Sequence, residues 1–183
     1  MDTKKNPIIS SPMMGALIFI FVESMFFASF ISAYFIVRSG AINWPPFGQP
    51  RLPIVTTAFN TLVLLVSGVL LLWSYRLFLH QGLKEKVKKL FLAALGLGIL
   101  FFCIQGYEWI RLIGFGLTMK SSVYGSFFYL IIGFHGLHVL AVTTLLGMMY
   151  KKLTKQGIFS AVLALWLFVV GVWPGLYYLV YLK

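Results

Sequence analysis

The chain has 183 residues, 60% of them hydrophobic and only 10% charged. A soluble domain carries about 45–50% apolar and about 25% charged residues, so a water-soluble fold of this size could not hide the excess and lipid is the expected solvent. The net charge of +11 would suggest nucleic acid in a soluble protein; here the basic residues lie mostly in short loops between apolar runs, leave no basic face, and exclude that reading in favour of membrane topology and headgroup contact.

Five segments are long and apolar enough to span a bilayer, which takes about 20 residues: 13–37, 54–79, 90–113, 123–150 and 158–182. The fold class predicted is all-α, a polytopic membrane bundle of five helices forming one domain over residues 1–183. Closed barrels would show alternating strands of about ten residues, absent here. Lys4 and Lys5 precede the first segment as in a signal peptide, but the run passes Glu23 and reaches Val37 without a small-residue cleavage site. It is read as a retained helix. The third segment holds Cys103, the one cysteine, which excludes an intrachain disulfide and reads as a small buried apolar residue.

Ten of the 15 Lys+Arg fall on one side of these spans: Lys4, Lys5, Arg76, Lys84, Lys86, Lys88, Lys89, Lys151, Lys152 and Lys155. Arg38, Arg51, Arg111, Lys120 and Lys183 fall on the other. The positive-inside rule then places the N-terminus in the cytoplasm and the C-terminus outside. Trp44, Trp109, Trp173 and Tyr177 are expected at the outer interface.

An ionisable group in hydrocarbon costs at least about 2.5 kcal/mol at a helix centre, so each one asks for a partner. Glu23 lies near mid-membrane in the first segment, and His135 and His138 reach a similar depth in the fourth. At i, i+3 spacing both histidines are expected to face one neighbour. Glu23 is therefore expected to face the interior and bond a helix-four histidine, either as a polar clamp between helices or as a proton-exchanging or lipid-regulated site.

Gln105, Glu108 and Arg111 form a polar stripe near the outer end of the third segment, with Glu108 and Arg111 as a local ion pair or a partner contact. Ser24, Ala28 and Ser32 recur every four residues as a seam for close helix packing, and Gly133 and Gly136 flank His135 for the same purpose. Gly171, Pro174 and Gly175 are expected to kink or loosen the last helix. Three histidines and one cysteine are too few ligands for a metal centre, so no metal is expected. No nucleophile–base pair, P-loop or His-Glu-x-x-His motif is present, and no catalytic residue is assigned.

Several blocks together resemble one family, subunit III of the haem–copper respiratory oxidases. They are Glu23-Ser24-Met25-Phe26-Phe27 with Tyr34; Trp44-Pro45-Pro46; Asn60-Thr61 and Ser67-Gly68-Val69; and Gln105 with Glu108-Trp109. Most specific are Tyr124-Gly125-Ser126-Phe127-Phe128 and Gly133-Phe134-His135-Gly136-Leu137-His138-Val139. The resemblance covers about residues 13–150 and is to the short, five-helix form common in bacteria. In the last helix the family's Trp-His-Phe-x-Asp is replaced by Trp166-Leu167-Phe168-Val169-Val170, so two polar groups are missing.

The resemblance implies an accessory, non-redox subunit of a proton-pumping terminal oxidase in aerobic respiration, with no cofactor in this chain. Haem and copper are expected in partner subunits, and bound phospholipid in the bundle. The implied partners are the catalytic subunit I, with subunit II, in a hetero-oligomeric complex in a bacterial inner membrane. Glu23 matches the family's membrane carboxylate, and His135 and His138 its paired histidines. A nitric oxide reductase partner or supercomplex subunit is the related alternative. A small transporter or channel is the alternative of another class, opposed by the lack of two related halves.

Overall fold

The structure, a computed structural model, describes residues 10–182. Lys4, Lys5 and Lys183 of the charge count lie outside the described residues. Five long helices follow in order: α1 (Ser11–Ser39), α2 (Ile54–Gln81), α3 (Glu85–Gly114), α4 (Val123–Met149) and α5 (Gln156–Tyr177). A 3₁₀ turn (Tyr150–Lys152) follows α4, and π turns (Tyr178–Leu182) extend α5. No strand occurs among the described residues. All five helices are long and apolar enough to cross a membrane. Their apolar residues run around the whole circumference, as in a span whose outer face meets lipid and whose backbone must bond to itself.

The ends follow local chemistry. Pro12 enters α1 within the first two positions, where a missing N–H costs nothing, and Arg38 lies in the last turn against the negative end of the helix dipole. At Gly82, φ is +69° and the N–H donates to Phe78 O at 2.9 Å, so the chain reverses into α3 within three residues. Ser122 caps α4, its side chain accepting from the Gly125 N–H at 3.0 Å. The third helix starts at Glu85 rather than near 90. Its first turns carry Lys86, Lys88 and Lys89, which hydropathy discounts although long basic side chains can lay apolar stems along a helix while the charge stays in water.

α2 and α3 form an antiparallel hairpin with the most extensive helix–helix contact. α5 lies at the centre, against α1, α2 and α4, while α1 sits at the edge on α5 and lightly on α4. Trp166, Trp173, Phe91, Phe101, Phe128 and Phe159 are fully buried. Two glycines admit aromatic rings. A Cβ at Gly98 would lie 2.6 Å from Trp166 Cη2, and one at Gly136 would lie 2.7 Å from Trp109 Cη2.

Other packing expectations are corrected. Ser24, Ala28 and Ser32 are exposed, because α1 turns Ala16, Phe27 and Tyr34 inward; Ser24 and Ala28 border an open groove against Gly171 and Gly175 of α5 instead of packing into it. Gly133 faces open space, with nothing within 4 Å of a Cβ built there. Trp173 is buried within the bundle, and its Nε1–H donates to Thr61 Oγ1 at 2.9 Å. Helix α5 passes through Pro174 and ends in the wider π turns four residues later. The two departures at its centre differ in setting. Leu167 is exposed, whereas Val170 is buried and would meet a Cβ on Gly68 at 3.0 Å. A valine there fills the space above that glycine.

Candidate functional site

Two polar sites are built into the bundle, one at its edge and one within its α2–α3–α5 side. At the edge, Glu23 of α1 and His138 of α4 meet with Oε2 and Nε2 3.0 Å apart. Their side chains keep 17% and 15% exposure. His138 Nδ1 lies 2.7 Å from Phe134 O, a carbonyl that only accepts, so Nδ1 carries hydrogen. The Glu23–His138 contact then needs one further proton. It resides either on Nε2, giving an imidazolium–carboxylate pair, or on the carboxyl, which donates to a neutral ring. Either way one proton joins the two helices at this point. Phe27 packs on the His138 ring at 5.4 Å, and Phe19 lies at 6.3 Å.

His135 does not join this pair. Three residues along a helix turn the side chain by about 60°, enough to send it to a different neighbour. It is buried, stacked on Trp173 at 4.8 Å and 28°, with Phe101 edge-on at 6.4 Å. Its Nε2 has no hydrogen-bond partner.

The second site joins α2, α3 and the end of α5. Glu108 is only 3% exposed. Its Oε2 contacts the Thr57 hydroxyl at 3.0 Å and accepts from Gln105 Nε2 at 3.3 Å. Gln105 Nε2 also donates to Tyr181 Oη at 3.1 Å. Thr57 Oγ1 in turn lies 2.8 Å from Pro53 O, tying the group to the first turn of α2. The stripe near the outer end of α3 therefore consists of two buried residues and one exposed one. Glu108 and Arg111 form no ion pair. The Arg111 guanidinium instead lies 5.9 Å from the Tyr107 ring centre and 5.8 Å from that of Phe115. Glu108 turns into the α2 contact while Arg111, one turn nearer the helix end, turns out.

Thr57 and Tyr181 were not singled out by sequence. A buried glutamate demands partners, but nothing in a linear pattern says which hydroxyl meets it. The loop 40–53 is pinned nearby: Trp44 Nε1 donates to Tyr34 Oη at 3.2 Å, which donates to Leu179 O at 3.3 Å.

The sequence model of a family described as cytochrome c oxidase subunit III matches residues 3–183. The chain belongs to that family. Curated relatives named cytochrome c oxidase subunit 3 agree. That of Drosophila yakuba is 36% identical over 181 residues, covering 91% of this chain and 67% of the relative. That of Patiria pectinifera is 37% identical over 177 residues, covering 89% and 66%. That of Paracentrotus lividus is 37% identical over 179 residues, covering 90% and 67%. The chain thus spans about two thirds of the length of these relatives.

Subunit III is an accessory, non-redox subunit of haem–copper oxidase, so membership implies a hetero-oligomeric oxidase complex and a multi-pass membrane protein. Among the described residues no group of three or more His, Cys, Asp or Glu side chains could hold a metal ion. The family assignment does not favour the transporter or nitric oxide reductase readings.

Proposed function

We propose that this chain packs on the catalytic subunit I of a terminal oxidase, in a complex with subunit II, and supports sustained turnover without carrying a redox centre itself. The observation that carries this reading is the family match along residues 3–183. Haem and copper then belong to the partner subunits, where oxygen reduction and proton pumping take place. The five helices act as one transmembrane domain over 1–183. Its N-terminus faces the cytoplasm and its C-terminus the outside, as the Lys and Arg bias favours. A bacterial cell membrane is the location proposed, while the relatives named above are eukaryotic.

Within that role, Glu23 and His138 serve as a shared-proton site at mid-membrane. The 3.0 Å contact supports this, because with Nδ1 bound to a carbonyl it needs one proton shared between the two side chains. The buried Glu108 group has the character of a structural clamp. Its members come from three helices and are almost sealed from solvent.

Gentle purification of the tagged native complex, with a reduced-minus-oxidised visible spectrum and peptide identification, tests the assembly. Haem bands travelling with a catalytic oxidase subunit are expected. A colourless preparation of this chain alone, under detergent in which a control oxidase stays assembled, would overturn it.

A further inference from the structure

A cleft of about 120 Å³ opens between the start of α2 and the end of α3, lined by Arg51, Pro53, Thr56, Tyr107, Glu108, Arg111, Leu112 and Phe115. Arg51 and Arg111 are exposed and Glu108 is buried, so two guanidinium groups stand at the mouth and one carboxyl group at the floor. The bonds of Glu108 described above all go to Oε2; Oε1 is buried and has no hydrogen-bond partner. Such an oxygen calls for a donor. Arg111 does not supply it, since its guanidinium lies over the Tyr107 and Phe115 rings.

The two signs of charge constrain the ligand. Paired guanidinium groups favour a phosphate, and the positive end of the α2 dipole lies beside them. A simple anion would leave Oε1 unsatisfied and bring negative charge toward Glu108. A ligand with a phosphate and a primary ammonium answers both ends. A quaternary ammonium does not, having no N–H to donate. The volume matches about four water-sized groups, enough for an ethanolamine arm. Exposed Ile110, Ile113 and Phe115 continue the surface beside the cleft, as acyl chains require. We propose that this α2–α3 cleft binds a phosphoethanolamine headgroup of a membrane lipid, phosphate on Arg51 and Arg111 and ammonium on Glu108. The proposal rests on the membrane reading of the helices and not on assembly with an oxidase, so the two fail separately.

The test uses the full chain with its native partners in phosphatidylcholine nanodiscs, each doped with one photoactivatable lipid probe: phosphatidylethanolamine, its N-methylated and N,N-dimethylated forms, phosphatidylcholine or phosphatidylglycerol. Labelled peptides are identified by mass spectrometry. The ethanolamine probe should label peptides around residues 51–56 and 107–115 about tenfold more than the choline probe, with yield falling stepwise on methylation. Arg51→Gln with Arg111→Gln should cut that labelling about tenfold at an unchanged thermal midpoint. Glu108→Gln should erode the preference for ethanolamine over glycerol headgroups. The methylation series needs no variant, so a misfolded Glu108→Gln would not rescue a failed proposal. Soluble phosphoethanolamine separates the two sources of the chemistry, and full competition by it at micromolar concentration would overturn the lipid assignment. Equal labelling by ethanolamine and choline probes, preference for phosphatidylglycerol, or cross-linking of the cleft to a protein chain would each overturn the proposal.

Discussion

The two carboxylates of this bundle are held in contrasting ways. Glu108 lies on the α2–α3–α5 side, where Thr57, Gln105 and Tyr181 converge on it and solvent is nearly excluded. Glu23 sits on the edge helix and meets one partner, His138, with both side chains still partly open. The difference teaches that depth in the membrane and burial in the protein are separate quantities. Glu23 is the nearer to the middle of its helix, yet Glu108 is the better enclosed. A buried network with fixed partners rigidifies a bundle, whereas a single contact between partly exposed side chains ties two helices at one point only.

The contrast can be broken first at its tightest point. Gly98→Ala puts a methyl 2.6 Å from a fully buried Trp166 ring, so something must shift. A loss of about 3 kcal/mol is expected in detergent unfolding, with Trp166→Phe restoring part of it. An unchanged midpoint would mean that the interior side is as yielding as the edge.

Next comes Thr57→Val, which removes the hydroxyl on Glu108 Oε2 while keeping side-chain shape. Stability should fall by about 1–2 kcal/mol, because a buried acceptor loses a partner. If Thr57→Val and Tyr181→Phe prove additive in a double-mutant cycle, the three helices do not share one network.

At the edge the effect should be smaller. A cycle between Glu23→Gln and His138→Gln should give a coupling of about 0.6 kcal/mol, in the range of membrane helix–helix hydrogen bonds. The sharper readout is infrared difference spectroscopy of the carboxyl and imidazole bands. One exchangeable proton should redistribute in the wild type, and the signal should vanish in Glu23→Gln. A silent wild-type spectrum together with a large coupling would make this pair a clamp like the other.

Ala28→Leu should change least, within about 0.5 kcal/mol, since Ala28 is exposed on α1 and the open groove against α5 leaves room for a longer side chain. A large loss of complex yield at unchanged stability of the isolated chain would instead mark that face as a contact with a partner subunit.

The fold class was legible in the sequence because five apolar runs of spanning length leave few alternatives in lipid, and the helices formed within a few residues of the expected bounds. Family membership was legible from the Glu23 and His135–His138 blocks, and the match over residues 3–183 supports it. What periodicity could not supply was direction. His135 and His138 share a helix and are separated by one turn, yet one stacks on Trp173 and the other meets Glu23. Ser24, Ala28 and Ser32 have the spacing of a packing seam, but which face of α1 is covered depends on where α5 lies.

Sequence by itself determined that this chain is a helical membrane protein of the subunit III family, since solvent and chain length dictate that every backbone group bond within its own helix. Only the tertiary structure decided which polar side chains meet. Rotation of each helix about its axis is set by side chains packing across helices, and that packing brought Thr57 and Tyr181 to Glu108 while leaving Arg111 at the cleft mouth.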